Sequence, residues 1–253
     1  MAGRVCPFGT GVAPLAALLL AAAPAVAVQE LAIPPVTYPA LAPTAADARG
    51  FVPPGWSLVA SRRGDLNGDS AADLLLLLRM NDPANILAIP LGGRTERFDT
   101  NPHLLVIAFA QPRGGYRLAA SNRGLFPRPE RPWTGEEPPG DDTLRLERGS
   151  LRLTFTYLRG WAAYRFRWQS GAFRLIGYER AGASGGCVET VSIDYLTGRA
   201  RLTNDAIESE RTRIAWRRLS AERPPALDRI DMDDFWPDRT IAGPPLPCRG
   251  RGR

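Results

Sequence analysis

The chain has 253 residues, with 32 basic side chains against 26 acidic ones and a net charge of +6. No Lys occurs, so every basic residue is Arg; a uniform bias of that kind reflects composition and by itself makes no case for nucleic acid. A single His and three Cys without a C-x-x-C exclude a zinc site built on several histidines and a dithiol redox centre.

Residues 1–27 read as a secretory signal, with Arg4 ahead of an apolar segment from Val12 to Ala23 and Ala25-Val26-Ala27 as the cleavage site. Removal would leave 253 − 27 = 226 residues, secreted or periplasmic, with one core as the default. No later stretch approaches the ~20 apolar residues of a membrane-spanning helix, so no transmembrane segment is expected in the mature chain. Residues 28–50 are rich in Ala and Pro and are expected to form an extended or disordered linker, because proline withholds amide donors and blocks helix continuation.

A β-rich domain is expected over 51–220. Trp56 to Val59 reads as a strand entering the stretch GDLNGDSAAD, Gly64 to Asp73, and the apolar run Leu74 to Leu78 as a buried strand leaving it. Asp65, Asn67, Asp69 and Asp73 occupy positions 1, 3, 5 and 9 of this loop, a spacing that lets oxygens converge on one hard cation, with the carbonyl of Ala71 at position 7. Calcium is the natural occupant. Position 12, where a helical calcium loop needs a further carboxylate, is Leu76. The same residue types also build plain solvated turns. At about 1 mM calcium and a Kd of ~0.1 mM, binding would add about 1.4 kcal/mol.

The pattern from Ser61 to Leu78 resembles the calcium loop of FG-GAP (integrin α-type, or VCBS) repeats. That resemblance implies a loop joining two strands of a β-propeller blade, with a glycine where this chain has Ser70, a position whose left-handed backbone costs another residue roughly 1 kcal/mol. A propeller needs several blades, and no second copy of the loop occurs. The expected fold is therefore all-β, of predominantly antiparallel meander sheets, sandwich-like or partial-propeller-like.

Further along, Leu104 to Ala110 and Tyr116 to Ala120 read as a hairpin around Gly114-Gly115. Residues 121–142 form a long Pro-rich loop carrying Glu136-Glu137 and Asp141-Asp142. Alternation then puts Leu151, Leu153, Phe155 and Tyr157, next Tyr164, Phe166 and Trp168, then Phe173, Leu175 and Gly177 on the core side of successive strands. Val188 to Tyr195, Arg199 to Thr203 and Arg211 to Leu219 continue the meander, with Leu202 to Glu210 left open between helix and strand. The order of these strand cores and turns, from Phe51 to Thr203, resembles a group of uncharacterised exported bacterial proteins, a resemblance that implies export and a β-rich fold and carries no activity.

Arg165, Arg167 and Arg174 fall on the solvent side of their hairpin and form a candidate anion-binding face, with Arg199 and Arg201 as extensions; no stacking platform is expected on that face. Cys187 and Cys248 are expected to pair, pinning the Pro-rich tail, residues 221–253. His103 reads as a surface or strand-end residue. The expected function is that of an exported, calcium-stabilised binding or envelope-associated module, its partner a protein or an anionic envelope polymer. Two alternatives stand beside it: a carboxylate-dependent hydrolase with the 121–142 loop at its site, and polyanion binding through the arginine face.

Overall fold

The computed structural model describes residues 31–91, 93–130, 138–209, 212–220 and 224–248; residues 1–27, expected as a signal, lie outside them. Strands are β1 (Thr44–Ala45), β2 (Trp56–Gly64), β3 (Asp73–Met80), β4 (Ile86–Leu91), β5 (Arg94–Asp99), β6 (His103–Ala110) and β7 (Tyr116–Asn122). Then come β8 (Leu144–Glu147), β9 (Ser150–Tyr157), β10 (Gly160–Gln169), β11 (Ala172–Ser184), β12 (Cys187–Asp194), β13 (Arg199–Ala206) and β14 (Ala215–Arg218). Helical structure among the described residues is confined to short 3-10 turns, and no helix there is long and apolar enough to cross a membrane.

Every strand pairing is antiparallel. The front sheet runs in the order β1-β7-β6-β3-β2, with β4 and β5 forming a separate hairpin between β3 and β6. The back sheet runs β14-β13-β12-β11-β10-β9-β8, each strand beside its sequence neighbour. Two-residue turns make that meander possible: Arg148-Gly149, Ser170-Gly171 and Gly185-Gly186 all have positive φ at both positions, the primed geometry that matches strand twist.

The two sheets face each other across one core. Leu75, Leu77, Leu105, Ile107 and Phe109 from the front meet Leu151, Leu153, Tyr164, Phe166, Phe173 and Leu175 from the back. Phe109 stands edge-on to Trp168 at 4.9 Å. At one side β2 and β8 come so close that a Cβ on Gly64 would lie 3.0 Å from Leu146 Cδ1. This is the sandwich form of the expected all-β fold.

β3 explains its own sequence. Leu75 and Leu77 face the inter-sheet core, whereas Leu74, Leu76 and Leu78 face a second core with Phe51, Trp56, Leu104 and Val106. A strand buried on both faces has to be apolar at every position. The second core is covered by the segment expected to be a linker: Tyr38, Leu41, Ala45 and Ala48 pack against it, and β1 pairs with β7. The packed unit thus begins at Ala32, ahead of the boundary expected near Phe51. Arg128 fastens this layer by donating to the carbonyls of Pro34 and Thr100 and to Asn85 Oδ1.

The C-terminal segment is equally integrated. Ala226, Leu227 and Ile230 are buried, Asn204 donates to the Leu246 carbonyl, and Cys187 and Cys248 form the expected disulfide with a Cα–Cα distance of 6.1 Å. Closing 61 positions, it constrains the unfolded chain by about 4 kcal/mol on the loop-entropy model.

Candidate functional site

The loop from Asp65 to Asp73 is organised by side-chain oxygens accepting backbone N–H groups. Asp65 Oδ1 accepts from Asn67 and Gly68, and its Oδ2 from Ser70 at 2.9 Å. Asn67 Oδ1 accepts from Asp69 N, and Asp69 Oδ1 from Ala71 N at 2.8 Å. The N–H groups of Gly68 and Ser70, with a smaller part from Asn67, hold the Asp65 carboxyl below the usual carboxylate range. Ser70 takes the left-handed backbone expected of it, with φ at 67°.

Asp73 sits at the mouth of β3 and is fully buried. Its Oδ2 accepts from Leu66 N at 2.8 Å and its Oδ1 from Ala110 N at 2.9 Å, which ties the loop to the end of β6. Burial pushes its carboxyl up, the two N–H donors oppose this, and the charges of Asp69 and Asp65 add to the rise. Among the described residues no Arg forms an ion pair with it. Leu66, between the acids, points the other way into the inter-sheet core. The loop is therefore part of the packing that joins the sheets.

Among the described residues no three His, Cys, Asp or Glu side chains converge into a metal cage by themselves. The oxygens of Asp65, Asn67, Asp69 and Asp73 each already accept an N–H, but a carboxylate offers about four lone-pair sites and an amide oxygen two, so acceptor capacity remains. The donor set, with the Ala71 carbonyl, is all oxygen, as a hard cation requires.

The arginines occupy the outer face of the back sheet. Across the strands, Arg145, Arg152 and Arg165 stand in register, followed by Gly177, Asp194, Arg199 and Arg218. Arg167 stands directly opposite Arg174. Gly177 was expected on the core side with Phe173 and Leu175. A bulge between Arg165 and Phe166 inserts Ile176 as an extra residue, which moves Gly177 outward and Tyr178 inward. Two exposed tryptophans share the arginine face, Trp161 on β10 and Trp216 opposite Arg201, where no stacking side chain was expected. The odd-numbered alternation of β10 carries the signal for Trp161, which falls in phase with Arg165 and Arg167.

In the 121–142 loop, Leu125 and Phe126 are buried; Trp133, Glu136 and Glu137 lie outside the described residues. Asp141 receives hydrogen bonds from Arg62, which hold its carboxyl low, whereas a hydrolytic acid would need the opposite shift. His103 starts β6 as expected of a strand-end residue, but it is buried; desolvation and the Arg79 charge lower its pKa to about 4 against the pull of Asp99. Asn122 was not singled out by sequence. It is buried, donates to the carbonyls of Leu227 and Ile230, and accepts from Gly124 N and Leu125 N.

Comparison of the chain with protein-family models, with curated proteins and with solved structures returns no significant match.

Proposed function

We propose that this protein is an exported, calcium-stabilised β-sandwich that acts as a binding or envelope-associated module. The observation that carries the calcium part is Asp73, a buried carboxylate with which no Arg among the described residues forms an ion pair, next to a loop whose oxygens recur at alternate positions. A buried charge is costly unless it is paired or coordinates a metal. On this reading Asp65, Asn67, Asp69, Asp73 and the Ala71 carbonyl would hold the ion, which would supply charge compensation and no chemistry. The disulfide between Cys187 and Cys248 agrees with an oxidising compartment, as export through residues 1–27 would provide.

Thermal unfolding with EDTA and with about 1 mM calcium tests it. A gain of about 1.4 kcal/mol corresponds to a rise in Tm of roughly 3–5 °C for a domain of this size, and Asp69→Ala should abolish the response. Wild-type protein that melts at one temperature in both conditions would remove calcium from the account.

A further inference from the structure

We propose that the outer face of the back sheet binds an acidic polysaccharide, with Arg165, Arg167 and Arg174 holding its carboxylate or sulfate groups and Trp161 and Trp216 packing against its sugar rings. This rests on the reading of the protein as a binding module and is independent of the calcium loop.

The bulge on β11 shapes the site. Gly177 has no side chain and Ile176 lies low beside it, so the sheet surface carries a depression of about 260 Å³ with Arg152, Arg165 and Arg167 on its rim. Glu179 and Asp194 also line it, but both are already engaged. Glu179 pairs with Arg152 at 3.2 Å, and Asp194 Oδ1 accepts from Leu196 N and Thr197 N in the following turn. Among the described residues, no acid forms an ion pair with Arg165, Arg167 or Arg174. The Nε atoms of Arg165 and Arg174 are shielded from solvent and have no hydrogen-bond partner. Arg167 and Arg174 are cross-strand neighbours of like charge. Facing positive charges are unfavourable alone, and an oxyanion accepting from the outward N–H groups of the guanidinium forks relieves them.

An extended ligand fits better than a small one. A second open groove of about 690 Å³, beside β8 and β9, meets the depression at Arg152. On the other side the rows continue through Ser192 and Arg201 to Trp216, four strands from Trp161, a separation of about 19 Å across the sheet. A single-stranded nucleic acid carries a phosphate at every nucleotide and calls for an unbroken basic track with successive stacking platforms. Here Glu179 and Asp194 interrupt the arginines, and the two tryptophans stand far apart. A glycan with spaced charges presents hydroxyl groups to those acids and to Ser192, and its ring C–H faces suit isolated indoles.

The test is calorimetric titration of the full, oxidised chain with polygalacturonate as the carboxylated probe, heparin as the sulfated one, neutral dextran and oligothymidylate. Binding to at least one acidic glycan, weakened by salt and absent for dextran, is expected. Replacing Arg165, Arg167 and Arg174 together by Gln should lower affinity about tenfold or more, and Trp216→Ala about threefold. Should the triple variant fail to fold, Arg167→Gln alone, at an exposed side chain, should still cost about threefold. Lack of binding to both acidic probes, undiminished affinity in the arginine variants, or tighter binding of oligothymidylate would overturn the proposal. A thermal response to calcium without glycan binding defeats this inference alone; glycan binding without that response defeats only the calcium reading.

Discussion

Polar groups meet opposite fates in the two sheets. Around the front sheet they are buried and bonded: Asp73 accepts two backbone N–H groups, Asn122 uses both donors and accepts twice, and Asn85 donates to Asn101 Oδ1 and accepts from Thr100 beside β4 and β5. On the outer face of the back sheet, Arg165 and Arg174 stand over the strands with their Nε donors unused. The first set holds the fold together, since removing one member orphans its partners. Among the described residues the second set makes no ion pair with an acid.

Four measurements would sharpen or break that contrast. Asn122→Ala leaves two carbonyls and two N–H groups without their partner, and we expect a loss of about 3 kcal/mol or more in urea denaturation. Lowering the pH should cost nearly as much through His103. Its proton is bound less tightly folded than unfolded, so its contribution is intact above about pH 6.5 and is lost as pH falls toward about 4. The difference amounts to roughly 3 kcal/mol, and His103→Gln should flatten the stability slope in that window. Ser70→Gly should stabilise by up to about 1 kcal/mol, measured without calcium, because φ at 67° suits glycine. Arg167→Gln should change stability by no more than about 0.5 kcal/mol, toward stabilisation if relief from Arg174 dominates. A large loss there would make the arginine face structural and erase the contrast.

Much of this fold is written in period-two alternation. β3, β6, β9, β10 and β12 lie where apolar runs and turn residues put them, because half- or fully-buried strands must show their environment side chain by side chain. The hairpin of β4 and β5 leaves little trace in the sequence: Pro90 weakens the strand pattern, and β5, RTERFD, is mostly polar. The bulge at Ile176 was invisible because an inserted residue is only legible against its partner strand, and it inverts the face of everything after it. The expected start at Phe51 reflects proline content, yet a proline-rich chain can lie on an apolar sheet, here with Arg128 donating to the Pro34 carbonyl. The candidate calcium ligands and the arginine trio were all legible as spacing, whereas Asn122 and Asp73's burial depend on segments far away in the chain.

Both donors of Asn122 end on carbonyls 105 and 108 positions downstream. During synthesis the front sheet therefore emerges with that end uncapped until all of the back sheet has followed it. The meander, whose strands need only their sequence neighbours, can zip up as it appears. A nascent chain interrupted before Leu227 would therefore leave the end of β7 and the core beneath it uncovered, a ready client for chaperones.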